Sequence, residues 1–190
     1  MNEFQLDITK CIEVLQNGGI IVYPTDTMWA LGCDATNVEA VEKLYVLLNR
    51  KQEDVFTVLV ADERTVLAYA TEVDLAVFDA IASLQKPTTV IYKGVIGLAE
   101  NLLYSDGAAA IRICNDTFCK HLIKRFQKPI VAAIASFSDT LLPNHFSKIS
   151  SSIINKVDYV VKYQQAITLT NELASIVVFE KDGTLNFISN

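Results

Sequence analysis

The sequence predicts an α/β fold: an open, twisted, mixed sheet with flanking helices. Short apolar runs such as Ile20–Tyr23 and Ile130–Ala135 alternate with segments of helical period over most of the length. The turn Lys181-Asp182-Gly183-Thr184 separates two final strand-like runs, which adds an antiparallel element. The 190 residues are 51% hydrophobic and 20% charged, the balance of a globular chain with a core of useful size. No repeat, linker or composition shift divides it, so a single domain over 1–190 is expected.

Each element has a local reason. Asp7 is positioned as an N-cap, and Ile8, Cys11, Ile12 and Leu15 follow at helical spacing. Asn17-Gly18-Gly19 ends that helix, and strand Ile20–Tyr23 follows. Thr36 and Glu39 have the spacing of a capping box. The helix they open carries Val38, Val41, Leu44, Tyr45 and Leu48 on one face. Phe56–Val60 reads as a buried strand and Glu63–Tyr69 as a short helix. Thr71 is expected to cap a longer helix with Leu75, Phe78, Ile81 and Leu84 inward, stopped by Pro87. Strands follow at Thr88–Tyr92 and Ala108–Ile113. Then comes a helix from Asp116 or Thr117 with Phe118, Leu122, Ile123 and Phe126 inward. Pro129 opens the strand Ile130–Ala135, and Ser147–Asn155 has helical character. Val157–Val161, Ser175–Glu180 and Leu185–Ile188 complete the strands.

Composition narrows function. The net charge is −6, and a nucleic-acid binder needs a basic face to neutralise phosphates. The one dense cluster, Lys120, Lys124, Arg125 and Lys128, fits the solvated side of a helix, which disfavours RNA as a partner. Cys11, Cys33, Cys114, Cys119, His121 and His145 lack metal-ligand spacing, so no tightly bound metal is expected. No apolar run is long enough to span a bilayer, and Met1–Gln5 has no basic stretch leading into an apolar one. The expected compartment is the cytoplasm, with no membrane partner. Oligomeric state is not legible.

The densest chemistry is Val22-Tyr23-Pro24-Thr25-Asp26-Thr27-Met28-Trp29. Hydroxyls and a carboxylate follow a strand at its C-terminal end, where α/β sheets bind ligands. Thr25 and Thr27 point to one face of an extended segment and Asp26 to the other. The same residues are also ordinary turn formers. Arg112 lies in an otherwise apolar strand, which requires either a cavity or a buried acid beside it. Arg50 is either a phosphate clamp or a helix-end cation.

Tyr23-Pro24-Thr25-Asp26-Thr27, followed by Leu31-Gly32-Cys33-Asp34-Ala35, resembles the opening motif of the YrdC/YciO family. Its active members are threonylcarbamoyl-AMP synthases. Pro87-Thr88-Thr89, Ile111-Arg112-Ile113 and Ser175-Ile176-Val177-Val178 are similar to later family segments, so the resemblance spans nearly the whole chain. It implies a YrdC-like sheet with a concave pocket. It also implies condensation of L-threonine, bicarbonate and ATP to threonylcarbamoyl-AMP and pyrophosphate, for tRNA modification. ATP would be a substrate, escorted by Mg²⁺. The implied substrate-binding residues are Thr25, Thr27, Trp29, Arg50, Thr57 and Arg112. The implied nucleotide-binding residues are Arg50, Ser136, Ser138 and Ser175. No catalytic residue is assigned.

The family's Lys-x-Arg falls on Leu48-Asn49-Arg50, and its Ser-x-Asn on Ile134-Ala135-Ser136. Its Tyr-Gly is Trp29-Ala30, and an acid, Asp54, stands where a lysine is expected. Ala30-Leu31-Gly32-Cys33 and the Phe56-Thr57 strand look more like the YciO branch than the standard synthases. Losing one preorganised group at a transition state costs on the order of 10²–10³ in rate. Weak or altered turnover is the expectation. The alternative is a non-catalytic module for a nucleotide, an amino acid or RNA.

Overall fold

Residues 4–51, 53–137, 142–170 and 172–189 are described by a computed structural model of the chain. The first helix, α1 (Gln5–Gln16), buries Ile8, Cys11 and Leu15 at the expected spacing. Asp7 is not its cap. It lies in the first turn, buried, and accepts from Tyr159 Oη at 2.7 Å and from the amides of Lys162 and Tyr163. A carboxylate meant to cap a helix instead staples it to a segment more than a hundred residues away. Gly18, at φ +68°, turns the chain out of α1 in a conformation that favours glycine.

Strand β1 (Ile21–Pro24) is buried throughout, as is β2 (Trp29–Gly32), which the sequence did not announce. The two form an antiparallel hairpin with Pro24 opposite Trp29. Thus Thr25–Met28 is a hairpin turn and not an extended lead into a helix. Helix α2 (Val38–Leu48) follows, capped by the Asn37 side chain on the Ala40 amide at 3.0 Å. The capping box does not form, because Thr36 Oγ1 donates to Asp34 at 2.7 Å. Asp34 also holds Lys128 and so fastens the exit of the hairpin. Val38 is exposed, whereas Val41, Leu44, Tyr45 and Leu48 are buried.

The remaining elements follow in order: β3 (Thr57–Val60), α3 (Glu63–Tyr69), β4 (Ala70–Glu72), α4 (Ala76–Ala82) and β5 (Thr88–Val95). After them come β6 (Ala109–Ile113), α5 (Thr117–Phe126), β7 (Ile130–Ile134), α6 (Ser151–Ile154), β8 (Tyr159–Val160), β9 (Ser175–Phe179) and β10 (Leu185–Ser189). Thr71 does not cap a helix; it belongs to β4, paired with the far end of β5. That pairing delays α4, which buries Val77 and Phe78 and leaves Leu75 62% exposed. Asp116 caps α5 through the Cys119 amide at 2.7 Å, and Lys124 and Arg125 face solvent. Ser147–Asn155 is only partly helical, as a 3₁₀ turn at Phe146–Lys148 and then α6.

The fold is α/β, with one mixed sheet in the order β10-β9-β5-β6-β3-β7-β2-β1-β8, and β4 on β5. Pairs β1–β8, β3–β6 and β5–β9 are parallel, and the other pairs are antiparallel. At β2 the backbone approach is close. A Cβ on Gly32 would stand 2.6 Å from the Tyr23 ring and 2.7 Å from Val131 O. Glycine there leaves room for Tyr23 to lie across the strand and donate to Val131 O at 2.8 Å. No helix among the described residues is long and apolar enough to cross a membrane.

Candidate functional site

Strand register brings the site together. Cross-strand partners share a face, and alternate residues along a strand share it too. Val58 pairs with Ile111 and Val90 with Ile111, so Thr57, Arg112 and Thr89 all lie on one face. Thr57 pairs with Ala132, Ala30 with Ile134, and Thr89 with Ile176, which extends that face in both directions. The turn Thr25–Met28 and the segment Leu173–Ala174 add walls. The result is a cavity of about 160 Å³ lined by Thr25, Thr27, Met28, Ala30, Thr57, Thr89, Arg112, Ala132, Ala133, Ile134, Leu173, Ala174 and Ile176. Cavities that bury drug-sized ligands run about 300–1,000 Å³. This one has the size for an amino acid and not for a nucleotide.

Arg112 is the cation of the cavity. It reaches Asp26 through Nη2 at 3.2 Å, with both side chains nearly sealed from solvent. The two alternatives left open for Arg112, cavity and buried ion pair, are both realised. The pair is incompletely satisfied. Arg112 Nε is buried with no hydrogen-bond partner among the described residues, and Asp26 Oδ1 is engaged through the ion pair with Nη2 alone. Such groups are costly unless something completes them. Asp26 is held from outside by the Asn115 amide, and its carbonyl accepts from Thr170 Oγ1.

The hydroxyl pair is tightly set. Thr25 Oγ1 donates to Met28 O at 2.7 Å and accepts from the Met28 and Thr27 amides. Thr27 Oγ1 lies 3.0 Å away. The threonines that line the cavity are therefore the ones whose hydroxyls hold the turn. Beneath the turn, Cys119 Sγ contacts Pro24 O at 3.3 Å. Burial pushes its thiol, and that of Cys114, well up, to about 12 for Cys114, so both stay protonated and inert.

Other expected residues lie elsewhere. Trp29 is fully buried and does not line the cavity. Met28 and Ala30 face it, so Trp29 points to the opposite side and packs edge-on against Phe146 at 5.3 Å. Ser175 is also on the opposite face, because Ala174 and Ile176 take the cavity side. Ser136 is buried beyond β7 and outside the lining. Arg50 follows the left-handed C-cap Asn49 of α2, half-buried, also outside the lining. Ser138 lies outside the described residues. Thr89, Leu173 and Ile176 line the cavity but were not singled out by sequence reasoning. Only Thr89 left a trace, as a hydroxyl in an apolar strand beside Arg112.

A larger hollow, about 1090 Å³, lies between α2 and the loop Glu100–Asn101, lined by Val38, Glu39, Glu42, Lys43, Val46, Leu47, Lys156 and Asp158 among others. Lys43 Nζ there donates to Gly18 O, and Asp158 accepts from the Ile20 amide. The described residues hold no group of three or more His, Cys, Asp or Glu side chains placed to bind a metal.

A model of the Sua5/YciO/YrdC family, described as telomere recombination, matches residues 13–187. The chain belongs to this family. It is 28% identical over 176 residues to the threonylcarbamoyl-AMP synthase of Riesia pediculicola, covering 90% of this chain and 91% of the relative. Its fold matches that of E. coli YciO with a TM-score of 0.81, at 20% identity, over 98% of this chain and 91% of the other. It also matches P. abyssi Sua5 complexed with L-threonine, with a TM-score of 0.79 at 18% identity, over 95% of this chain and 53% of that one. Within the Sua5/YciO/YrdC fold, the opening motif is thus a hairpin turn aimed at the Arg112 strand. Its downstream aspartate, Asp34, serves the framework.

Proposed function

We propose that the chain binds L-threonine or a close analogue in the cavity at Arg112, as a divergent threonylcarbamoyl-AMP synthase. The reaction would condense the amino acid with bicarbonate and ATP and release pyrophosphate. One observation supports this reading most: Arg112 lines a cavity of amino-acid size as a buried cation, its Nε without a hydrogen-bond partner among the described residues and its Nη2 paired to Asp26 from outside the lining. An amino acid would place its carboxylate on the guanidinium. Curated relatives carrying the synthase name over nearly their whole length add to it.

The nucleotide half has thinner support. ATP does not fit the cavity and would lie outside it, towards Arg50 and Ser136. Mg²⁺ would be held mainly by the phosphates. With Leu48 buried and Ile134 in the cavity wall, turnover would be slow. A cytoplasmic product that feeds tRNA modification fits this reading, and the net charge of −6 disfavours direct RNA binding.

Pyrophosphate release from ATP, with threonine and bicarbonate at high protein concentration, tests the enzyme. A rate above the protein-free control that requires threonine is expected. A rate equal to the control, with threonine still raising the melting temperature, would favour a binding module instead.

A further inference from the structure

Arg112 is the one charged side chain among the described residues that line the cavity. A bare guanidinium in a closed space attracts any anion, and more strongly the more charge the anion carries. The reaction proposed above brings two kinds of anion to the molecule: the carboxylate of an amino acid and the phosphates of ATP. Something must keep the second out of the place of the first.

Asp26 is placed to do so. Its carboxylate meets Arg112 Nη2 at 3.2 Å from outside the lining, and the two side chains are only 11% and 7% exposed. Salt screens a pair so enclosed far less than one at the surface. Asp26 is itself held at two points, its Oδ2 by the Asn115 amide at 3.4 Å and its carbonyl by Thr170 Oγ1 at 3.2 Å. Its charge carries as far as Asp116, whose carboxyl is raised by burial and, to a smaller degree, by Asp26. Opposed in this way, the guanidinium keeps its directed donors, the unpartnered Nε among them, and loses its net charge. An amino-acid zwitterion has no net charge and needs only the donors. A phosphate dianion needs an excess of positive charge. We propose that Asp26 is a positioning residue that sets the ligand class of the cavity: it holds the Arg112 donors for an amino-acid carboxylate while its charge excludes phosphate. This rests on the amino-acid half of the reading above and adds the reason the cavity takes that substrate alone.

Calorimetric titration of the full chain with L-threonine and with inorganic phosphate, repeated on Asp26→Asn, is the test. Asparagine keeps the size of the side chain and an oxygen for the Asn115 amide. In the parent chain, phosphate should bind more weakly than threonine by about 10-fold or more. Asp26→Asn should tighten phosphate by roughly 10- to 100-fold, the order expected from removing one opposing charge at about 6 Å under an effective dielectric constant of about 20. Threonine, neutral overall, should change by less than about 10-fold. Loosened packing alone would weaken both ligands and could not create phosphate binding. Phosphate binding left unchanged by the substitution overturns the role of Asp26. So does phosphate bound as tightly as threonine by the parent chain, a measurement that needs no variant to fold. Threonine that fails to bind the parent chain overturns the proposed function instead, and the gain or absence of phosphate binding in Asp26→Asn still decides the role of Asp26.

Discussion

Two of the hollows in the molecule contrast sharply, and the smaller one holds the concentrated chemistry. The groove beside α2 is several times larger, about 1090 Å³ against 160 Å³. Its charges stand at the surface, and its apolar residues are helix side chains such as Val46, which is 71% exposed. The cavity keeps the Arg112 guanidinium out of water, with its Nε unpartnered among the described residues and Asp26 paired behind it. Taking a charge out of water costs several kcal/mol per ion, in order of magnitude. Such a cost persists where something else depends on the group. Volume measures how much can fit, whereas buried, incompletely paired charge indicates what is meant to.

Substitutions can break this contrast. The largest effect is expected from Arg112→Ala, which strands Asp26 in the interior. Urea denaturation should show a loss of about 3–5 kcal/mol, with amino-acid binding abolished. The double change Asp26→Leu with Arg112→Met should recover most of the stability, since an apolar pair of similar size replaces the ions. Binding should not return. If it did, the cavity would not be the site. Next is Gly32→Ala, whose new methyl would collide with the Tyr23 ring and Val131 O. Overpacking of that kind costs about 1–3 kcal/mol. It should weaken the ligand as well, because Tyr23 underlies the hairpin that carries the threonines.

How far the sequence revealed this contrast depends on the residue. The strands with unbroken β-branched runs, the α3 boundaries and the caps at Asn17 and Asp116 were legible, because local propensity and packing agree there. Strand β2 was not. Trp29-Ala30-Leu31-Gly32 has no β-branched residue and is held by its neighbours β1 and β7. Asp7 looked like a cap because its partner, Tyr159, lies far along the chain. In the site, Thr25, Thr27 and Arg112 could be singled out from type and context. Leu173 and Ile176 could not, since an aliphatic residue carries no local mark of the cavity it faces.

A smaller effect sharpens the comparison through pH. Burial, with a further contribution from Asp26, raises the Asp116 carboxyl above its ordinary 3.8. Its ionised form is therefore the costly one in the fold. The stability it supports is complete below the ordinary carboxylate value and is lost as pH rises through the raised one. Asparagine caps a helix about as well as aspartate. Asp116→Asn should gain on the parent chain as pH rises from acid towards neutral, as read from melting curves at several pH values. Equal pH slopes for the two proteins would place no titrating strain at this corner. The smallest effect belongs to the groove. Val46→Ser should shift stability by within about 0.5 kcal/mol and leave amino-acid binding unaltered. A clear loss of binding would move the site to the larger hollow.

Trp29 is the single indole of the chain, sealed within the hairpin strand β2 with its Nε1 unpartnered among the described residues. Nature has thereby installed one optical reporter, insulated from solvent quenching and covalently next to Met28, which lines the cavity. Its emission should be strongly blue-shifted, and any red shift would announce that the hairpin has lifted. Occupancy could thus be followed by light alone, with no label to disturb a chamber this small.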